Sequence, residues 1–313
     1  MKKKMLGAIL ALGIAALAGC GDAGSTTQTS TQSATESQVV VTTTESPTEP
    51  AEETTTDSIA IDTSAADVQA IMDRGVLRVG VKNAVLGFGY EDPLTGEYSG
   101  LEISLAGALA EQLGVDVEYT PVTAATRTEL LDSGDIDCVL ATFTITDERK
   151  QSWDFTTPYY TDYVSVLVED SNGITDLNGL VDATVGVSSG STSAKSLVKA
   201  MIEADLINGD SFDEDSFDPA TWTEGIRFQQ YDDYPTISTA LSAGEVDAFC
   251  VDKSILAIYR TEGRSYINAE FSPQEYGIAT TKGSGLSNVA ETLVTTYLSD
   301  GTINALIAEN GLD

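Results

Sequence analysis

The sequence predicts an α/β fold with two domains built on parallel sheets. Apolar runs of strand length alternate with segments of helical spacing, which is the pattern of βα units. One helix-to-strand unit recurs further along the chain in the same register: Leu131-Asp-Ser-Gly-Asp-Ile-Asp-Cys-Val-Leu-Ala-Thr142 against Leu241-Ser-Ala-Gly-Glu-Val-Asp-Ala-Phe-Cys-Val-Asp252. Of the 313 residues, those from Ala66 onward have ordinary globular composition and suffice for two small cores.

The first 20 residues read as a processing signal. Lys2, Lys3 and Lys4 precede an apolar run, Leu6 to Leu17, too short to span a bilayer comfortably. It closes on Leu17-Ala18-Gly19-Cys20, which resembles the lipobox of bacterial lipoproteins and makes Cys20 the acylated first residue of an exported protein; a plain secretory site is the alternative. Residues 21–65 are rich in Ser, Thr and Glu and poor in large apolar side chains, so a disordered tether is expected. Such a chain reaches roughly 35–40 Å.

After an amphipathic lead-in at Val68–Asp73, Val76 to Val81 alternates as a strand. Gly100 to Leu113 has helical spacing and stops at Gly114, and the strand Val115 to Tyr119 follows. A helix from Thr126 to Ser133 stops at Gly134, before an apolar strand from Ile136 to Phe143. Val164–Val168 and Ala183–Val187 are the next strands, and a polar turn, Ser188 to Ser193, opens a helix from Ala194 to Ala204. Free N–H groups at such a start favour an anion, with simple capping by Ser191 or Ser193 as the alternative. Asn208 to Gly225 is acidic (Asp210, Asp213, Glu214, Asp215, Asp218) but lacks the spacing of a calcium loop, so it reads as a solvated loop.

Ala141-Thr-Phe-Thr-Ile-Thr-Asp-Glu-Arg-Lys150 is the stretch with the most chemistry. Ligands lie beyond the carboxyl ends of strands in open α/β sheets, so Thr142, Thr144 and Arg149 converge there. A guanidinium beside hydroxyls suits a carboxylate; a charged turn in solvent is the other reading. The recurring unit puts Asp252 at the matching strand end of the second domain, so facing domains bring an anion and a cation cluster to one cleft.

The charge is −33, and −36 once the three leader lysines are removed, which excludes nucleic acid as a partner. Thirteen of the sixteen Lys and Arg then remain, so cations gathered at one site are a local exception. The chain has no histidine, which excludes His-based triads and His metal sites. Cys138 and Cys250 each sit in an apolar strand and are expected as buried thiols.

Together these features resemble the family 3 solute-binding proteins of polar amino-acid ABC importers. The resemblance spans about Ile71 to Leu312. It is carried by Val79-Gly-Val-Lys-Asn83, Gly100-Leu-Glu-Ile103, Ala141 to Arg149, Asp154-Phe-Thr-Thr-Pro-Tyr-Tyr160, Val246-Asp-Ala-Phe-Cys-Val-Asp-Lys253 and Gln274-Glu-Tyr-Gly-Ile278. Among members the chain looks closest to the aspartate/glutamate binders.

The resemblance implies a type II periplasmic-binding-protein-like fold. Lobe 1 is residues 66–163 plus 274–313, lobe 2 is residues 164–273, and two hinge strands let them close over one amino acid. It implies that Arg149 holds the ligand α-carboxylate, with Thr144 and the backbone near Ser191 and Thr192. Asp252 then pairs with the α-ammonium beside Thr142, Lys82 and Arg127 meet a side-chain carboxylate, and Tyr234 faces the ligand. Two departures stand out: Ser104 replaces the acid that usually ends the Gly-Leu-Glu-Ile motif, and Leu86 and Ala125 lie where glutamine-type members carry an aromatic pair.

The implied protein is a lipid-anchored monomer on the extracytoplasmic face, without cofactor or metal, that delivers aspartate or glutamate to an ABC permease. Glutamine or cystine is the alternative ligand. A dehydratase on this fold, with Asp252 or Glu148 as general acid, is a second class. An extracellular sensor is a third, disfavoured because the chain ends just after its last helix.

Overall fold

The computed structural model describes residues 59–312; the leader, Cys20 and most of the expected tether lie outside these residues. The chain joins the fold earlier than expected. Ile59 and Ile61, read from sequence as tether, pack against the main core.

Two mixed sheets organise the described residues. The first has the order Asp116–Pro121, Val76–Val81, Cys138–Leu140, Ala279–Thr281, Trp153–Phe155. Its first three strands are parallel, with Val81 beside both Pro121 and Leu140, so three carboxyl ends share one edge. The last two join through antiparallel pairings. The second sheet has the order Arg227–Tyr231, Thr184–Ser188, Ala248–Asp252, Tyr160–Glu169, Arg264–Tyr266. Again the first three strands are parallel and the rest antiparallel, with Phe271–Tyr276 pairing along Tyr160–Glu169. The expectation of wholly parallel sheets therefore holds for the βα core of each. The antiparallel members arise because the chain passes between the sheets twice, out through Tyr160–Glu169 and back through Phe271–Tyr276.

The recurring unit falls on equivalent elements. Helices Thr126–Ser133 and Tyr234–Ala243 both end on left-handed glycines, Gly134 and Gly244. Asp137 and Asp247 then each accept from the backbone N–H of the neighbouring strand, Arg78 and Thr184 respectively, at 2.8 Å. A repeated sequence pattern is a repeated strand-anchoring device.

Helices cover both faces of each sheet, and their apolar stripes make the core. Leu101–Leu113 and Gly285–Asp300 bury Leu105, Leu109, Leu286, Val289 and Leu293 on the first sheet, and Leu131 lies on its other face. Ser193–Glu203 buries Leu197, Val198 and Met201 on the second. Gly100 caps Leu101–Leu113 at φ 128°, where a Cβ would fall 2.1 Å from the Phe88 carbonyl oxygen, so only glycine lets this helix start where it does.

The strand expected over Ile136 to Phe143 is shorter, Cys138–Leu140. It ends because Thr142 turns left-handed, with φ 45°. The acidic loop is held by Phe212, Phe217, Trp222 and Phe228, which pack on one another beneath it. Among the described residues no three His, Cys, Asp or Glu side chains gather closely enough to hold a metal ion.

Candidate functional site

The carboxyl edges of the two sheets face each other across a narrow cavity of about 10 Å3. Seven of the nine residues expected at a ligand site line it: Arg127, Thr142, Thr144, Ser191, Thr192, Tyr234 and Asp252. Lys82 lines the adjoining pocket with Tyr234, and Arg149 the neighbouring groove with Ser191 and Thr192.

From the first sheet come the cations. Lys82 directly follows the strand Val76–Val81 and is 3% exposed, so its charge is not in solvent. Its Nζ stands 5.2 Å from the Tyr234 ring centre. Burial, then repulsion from Arg127, hold its ammonium well below the usual range, with Glu102 and Asp252 opposing. Arg127 is the second residue of Thr126–Ser133 and equally buried. Its Nη1 donates to the Ala141 carbonyl at 2.8 Å and the Thr142 carbonyl at 3.2 Å, while its Nε has no partner. Arg149 opens a one-turn helix; its Nη1 donates to the Thr144 carbonyl at 2.7 Å and its Nη2 to the Gly190 carbonyl, on the second sheet's side, at 3.0 Å. Both guanidinia lie over Phe143, 3.9 and 4.7 Å from its centre. Burial and repulsion from Arg127 press Arg149 to about 9, so it stays charged at neutral pH.

The second sheet supplies the anion and a set of hydroxyls. Asp252 ends the strand Ala248–Asp252 and accepts from the Tyr276 hydroxyl. The same hydroxyl lies 3.2 Å from Asp162, which also accepts from the Ser254 backbone N–H and hydroxyl. One phenolic proton cannot serve two carboxylates at once. Burial first, then Asp162, raise Asp252 to about 7, and burial raises Asp162. The helix Ser193–Glu203 starts without a side-chain cap. Ser191 and Ser193 therefore do not play the capping role that was the alternative for them, and their buried hydroxyls have no partner.

Contacts across the cleft hold it closed. Gln274, on the returning strand, accepts at one amide oxygen from the Thr144 hydroxyl at 2.9 Å and the Thr192 hydroxyl at 2.7 Å, bridging the two sides. Lys195 meets Glu148 at 3.2 Å. Gly190 (φ 73°) comes so near the opposite side that a Cβ would lie 2.8 Å from the Ala124 carbonyl oxygen.

Sequence reasoning missed Glu102, Asp162, Gln274 and Tyr276. Three of these lie inside motifs that were visible, and Glu102 is also an acid in an otherwise apolar helix start. Asp162 had no signal, since a polar residue in an alternating strand is ordinary.

Chemically, the cavity offers one carboxylate opposite several cationic and hydroxyl donors, in fixed relation. Three of the five unpartnered buried side-chain atoms among the described residues, Arg127 Nε, Ser191 Oγ and Ser193 Oγ, belong to its lining. Buried polar atoms are rarely left unpaired, so such a concentration marks a place where a polar molecule completes the bonding. Fold and site define a two-lobed binding protein of the type II periplasmic class.

Residues 77–309 match the family described as bacterial extracellular solute-binding proteins, family 3, and the chain belongs to it. The glutamine-binding protein of Geobacillus stearothermophilus is 31% identical over 69% of this chain and 76% of its own. The glutamate-binding protein of Corynebacterium glutamicum is 29% identical over 77% and 80% respectively. An ancestral arginine-binding protein solved with arginine superposes with a TM-score of 0.63 at 31% identity, covering 75% of this chain and 98% of that one. The protein is thus an extracellular amino-acid-binding component of an ABC transporter. Among the described residues no helix is long and apolar enough to cross a membrane.

Proposed function

We propose that this protein captures an acidic amino acid, aspartate or glutamate, between its lobes and presents it to an ABC permease. We further propose that it does so as a monomer anchored through an acylated Cys20. The observation that carries the ligand assignment is the charge count around the cavity. Lys82, Arg127 and Arg149 stand at or beside the cavity, against one carboxylate in its lining, Asp252. A ligand with two carboxylates and one ammonium offers a partner to each of these four groups, whereas a ligand with one carboxylate leaves a cation without one.

In this reading Arg149 takes the α-carboxylate, the Ser191–Ser193 turn adds donors, and Asp252 takes the ammonium. Lys82 and the unpartnered Nε of Arg127 meet the side-chain carboxylate. Closure of the Gln274 bridge and the Arg149–Gly190 contact over the ligand excludes water and strengthens each charged contact. Similarity to glutamine-binding proteins favours glutamine as the second reading.

Calorimetric titration of unfolded, ligand-stripped and refolded protein tests the assignment, because a tightly held amino acid survives purification. Aspartate or glutamate binding far more tightly than glutamine, arginine and cystine, with the preference lost in Arg127→Ala, is the expected result. Glutamine as the tightest ligand, indifferent to Arg127, sinks the acidic assignment. For the anchor, Cys20→Ala should release the protein from the membrane fraction and abolish labelling by a fatty acid.

A further inference from the structure

Glu102 sits behind the cavity and takes no part in the contacts assigned above. It is fully buried, as the second residue of the helix Leu101–Leu113. One of its oxygens, Oε1, accepts from the Thr142 backbone N–H at 2.6 Å and from the Tyr159 hydroxyl at 2.6 Å. The other, Oε2, has no partner. Burial raises its carboxyl above the usual range, with the bonds from Tyr159 and Thr142 and the nearby charges of Lys82 and Arg127 opposing. Two donors on one oxygen suit the ionised form.

Thr142 is where this bond matters. It is a β-branched residue at φ 45°, a region such side chains avoid, so something must hold it there. The turn has two consequences. It ends the strand so that the side chains of Thr142 and Thr144 both line the cavity. It also presents the Ala141 and Thr142 carbonyls to Arg127 Nη1, which fixes that guanidinium over Phe143.

We propose that Glu102 is a positioning residue for the ligand site: by gripping the Thr142 N–H from behind, it holds the left-handed turn that places Thr142, Thr144 and Arg127. This role presupposes that the cavity is the ligand site but not that the ligand is acidic. Glu102 touches no ligand and acts through the turn.

A double-mutant cycle on Glu102→Gln and Thr142→Gly tests it, titrating refolded protein with aspartate, glutamate, glutamine and cystine. Glutamine keeps the size of the side chain but loses the charge-assisted bond, so Glu102→Gln should weaken the tightest ligand about tenfold. Glycine adopts φ 45° without being held, so in the Thr142→Gly background the same substitution should cost less than about threefold. Equal losses in both backgrounds, or a Glu102→Gln protein that binds within about twofold of wild type, overturn the proposal.

Hydrogen exchange at the Thr142 amide gives a reading that needs no ligand. Protection in the wild type that is lost in Glu102→Gln supports the grip, and unchanged protection overturns it. If glutamine proves the tightest ligand, only the acidic assignment falls and the cycle is read with glutamine. If no amino acid binds, the function proposed above falls and the Thr142 amide decides the role of Glu102.

Discussion

Replacing Asp252 with asparagine should stabilise the empty protein at alkaline pH while destroying its hold on an ammonium group. The Asp252 carboxyl titrates at about 7 in the fold, raised by burial and then by Asp162, against an ordinary value of 3.8. Between those values the unfolded chain has lost the proton and the folded chain still holds it. Stability therefore falls as pH rises through this window, and above about pH 7 the whole penalty is present. At 1.36 kcal/mol for each pH unit between the two values, the penalty is about 4 kcal/mol. Asparagine carries no charge and still accepts from the Tyr276 hydroxyl. The gain at about pH 8 should be about 3–4 kcal/mol, or roughly 6–16 °C in Tm for a domain of this size, shrinking towards zero near about pH 4. Urea denaturation of ligand-stripped wild type and Asp252→Asn across that range measures it. A stability difference that does not change with pH, or an asparagine variant less stable than wild type at about pH 8, refutes the reasoning.

Arg149→Ala removes one partner of a buried charge contact and should weaken the best amino-acid ligand by about a hundredfold or more, with Arg149→Lys recovering only part because it lacks the planar fork. Calorimetry decides, and a loss under about threefold contradicts the assigned role. Because Asp252 must ionise to meet an ammonium, wild-type affinity should rise between about pH 5.5 and about pH 8 with release of a proton, detectable by titration in buffers of different ionisation enthalpy. Gly190→Ala sets a methyl against the Ala124 carbonyl at a left-handed position, so it should impair closure and raise Kd about tenfold or more while scattering shows a more open shape. Cys138 and Cys250 are fully buried with thiols pushed up by burial, so neither should react with a thiol reagent until urea unfolds the chain.

The Arg149 stretch was legible because its chemistry is local. A strand end is visible as the end of an apolar run, and whatever follows it must lie on the sheet's carboxyl edge. The same logic made Asp252 visible, whereas Lys82 and Arg127 came only with the resemblance. It failed for the Ser188–Ser193 turn only in part, since spacing cannot tell a capping serine from one left open to the cavity. Spacing was also blind to Thr142 as a conformational outlier, because a threonine after an apolar run reads simply as more strand.

The partners of these groups were not legible. Gln274 meets Thr144 and Thr192 across long intervals of chain, and Tyr276 joins Asp162 to Asp252 in the same way. Nothing in the local pattern around any of them marks the contact. The antiparallel strands Trp153–Phe155 and Ala279–Thr281 were missed for the same reason: each is short, and it becomes a strand only because the returning chain pairs with it.

The sequence by itself determined the two βα cores, the repeated unit with its anchoring aspartates, and which side chains stand at the strand ends. These follow from hydrophobic period, glycine stops and strand polarity, all of which act over a few residues. Only the tertiary structure decided that Lys82 and Arg127 are buried beside Arg149, that Asp252 is held back from ionising, and that Glu102 grips Thr142. Desolvation and charge coupling depend on what surrounds a group in space, and the chain supplies those surroundings from distant segments.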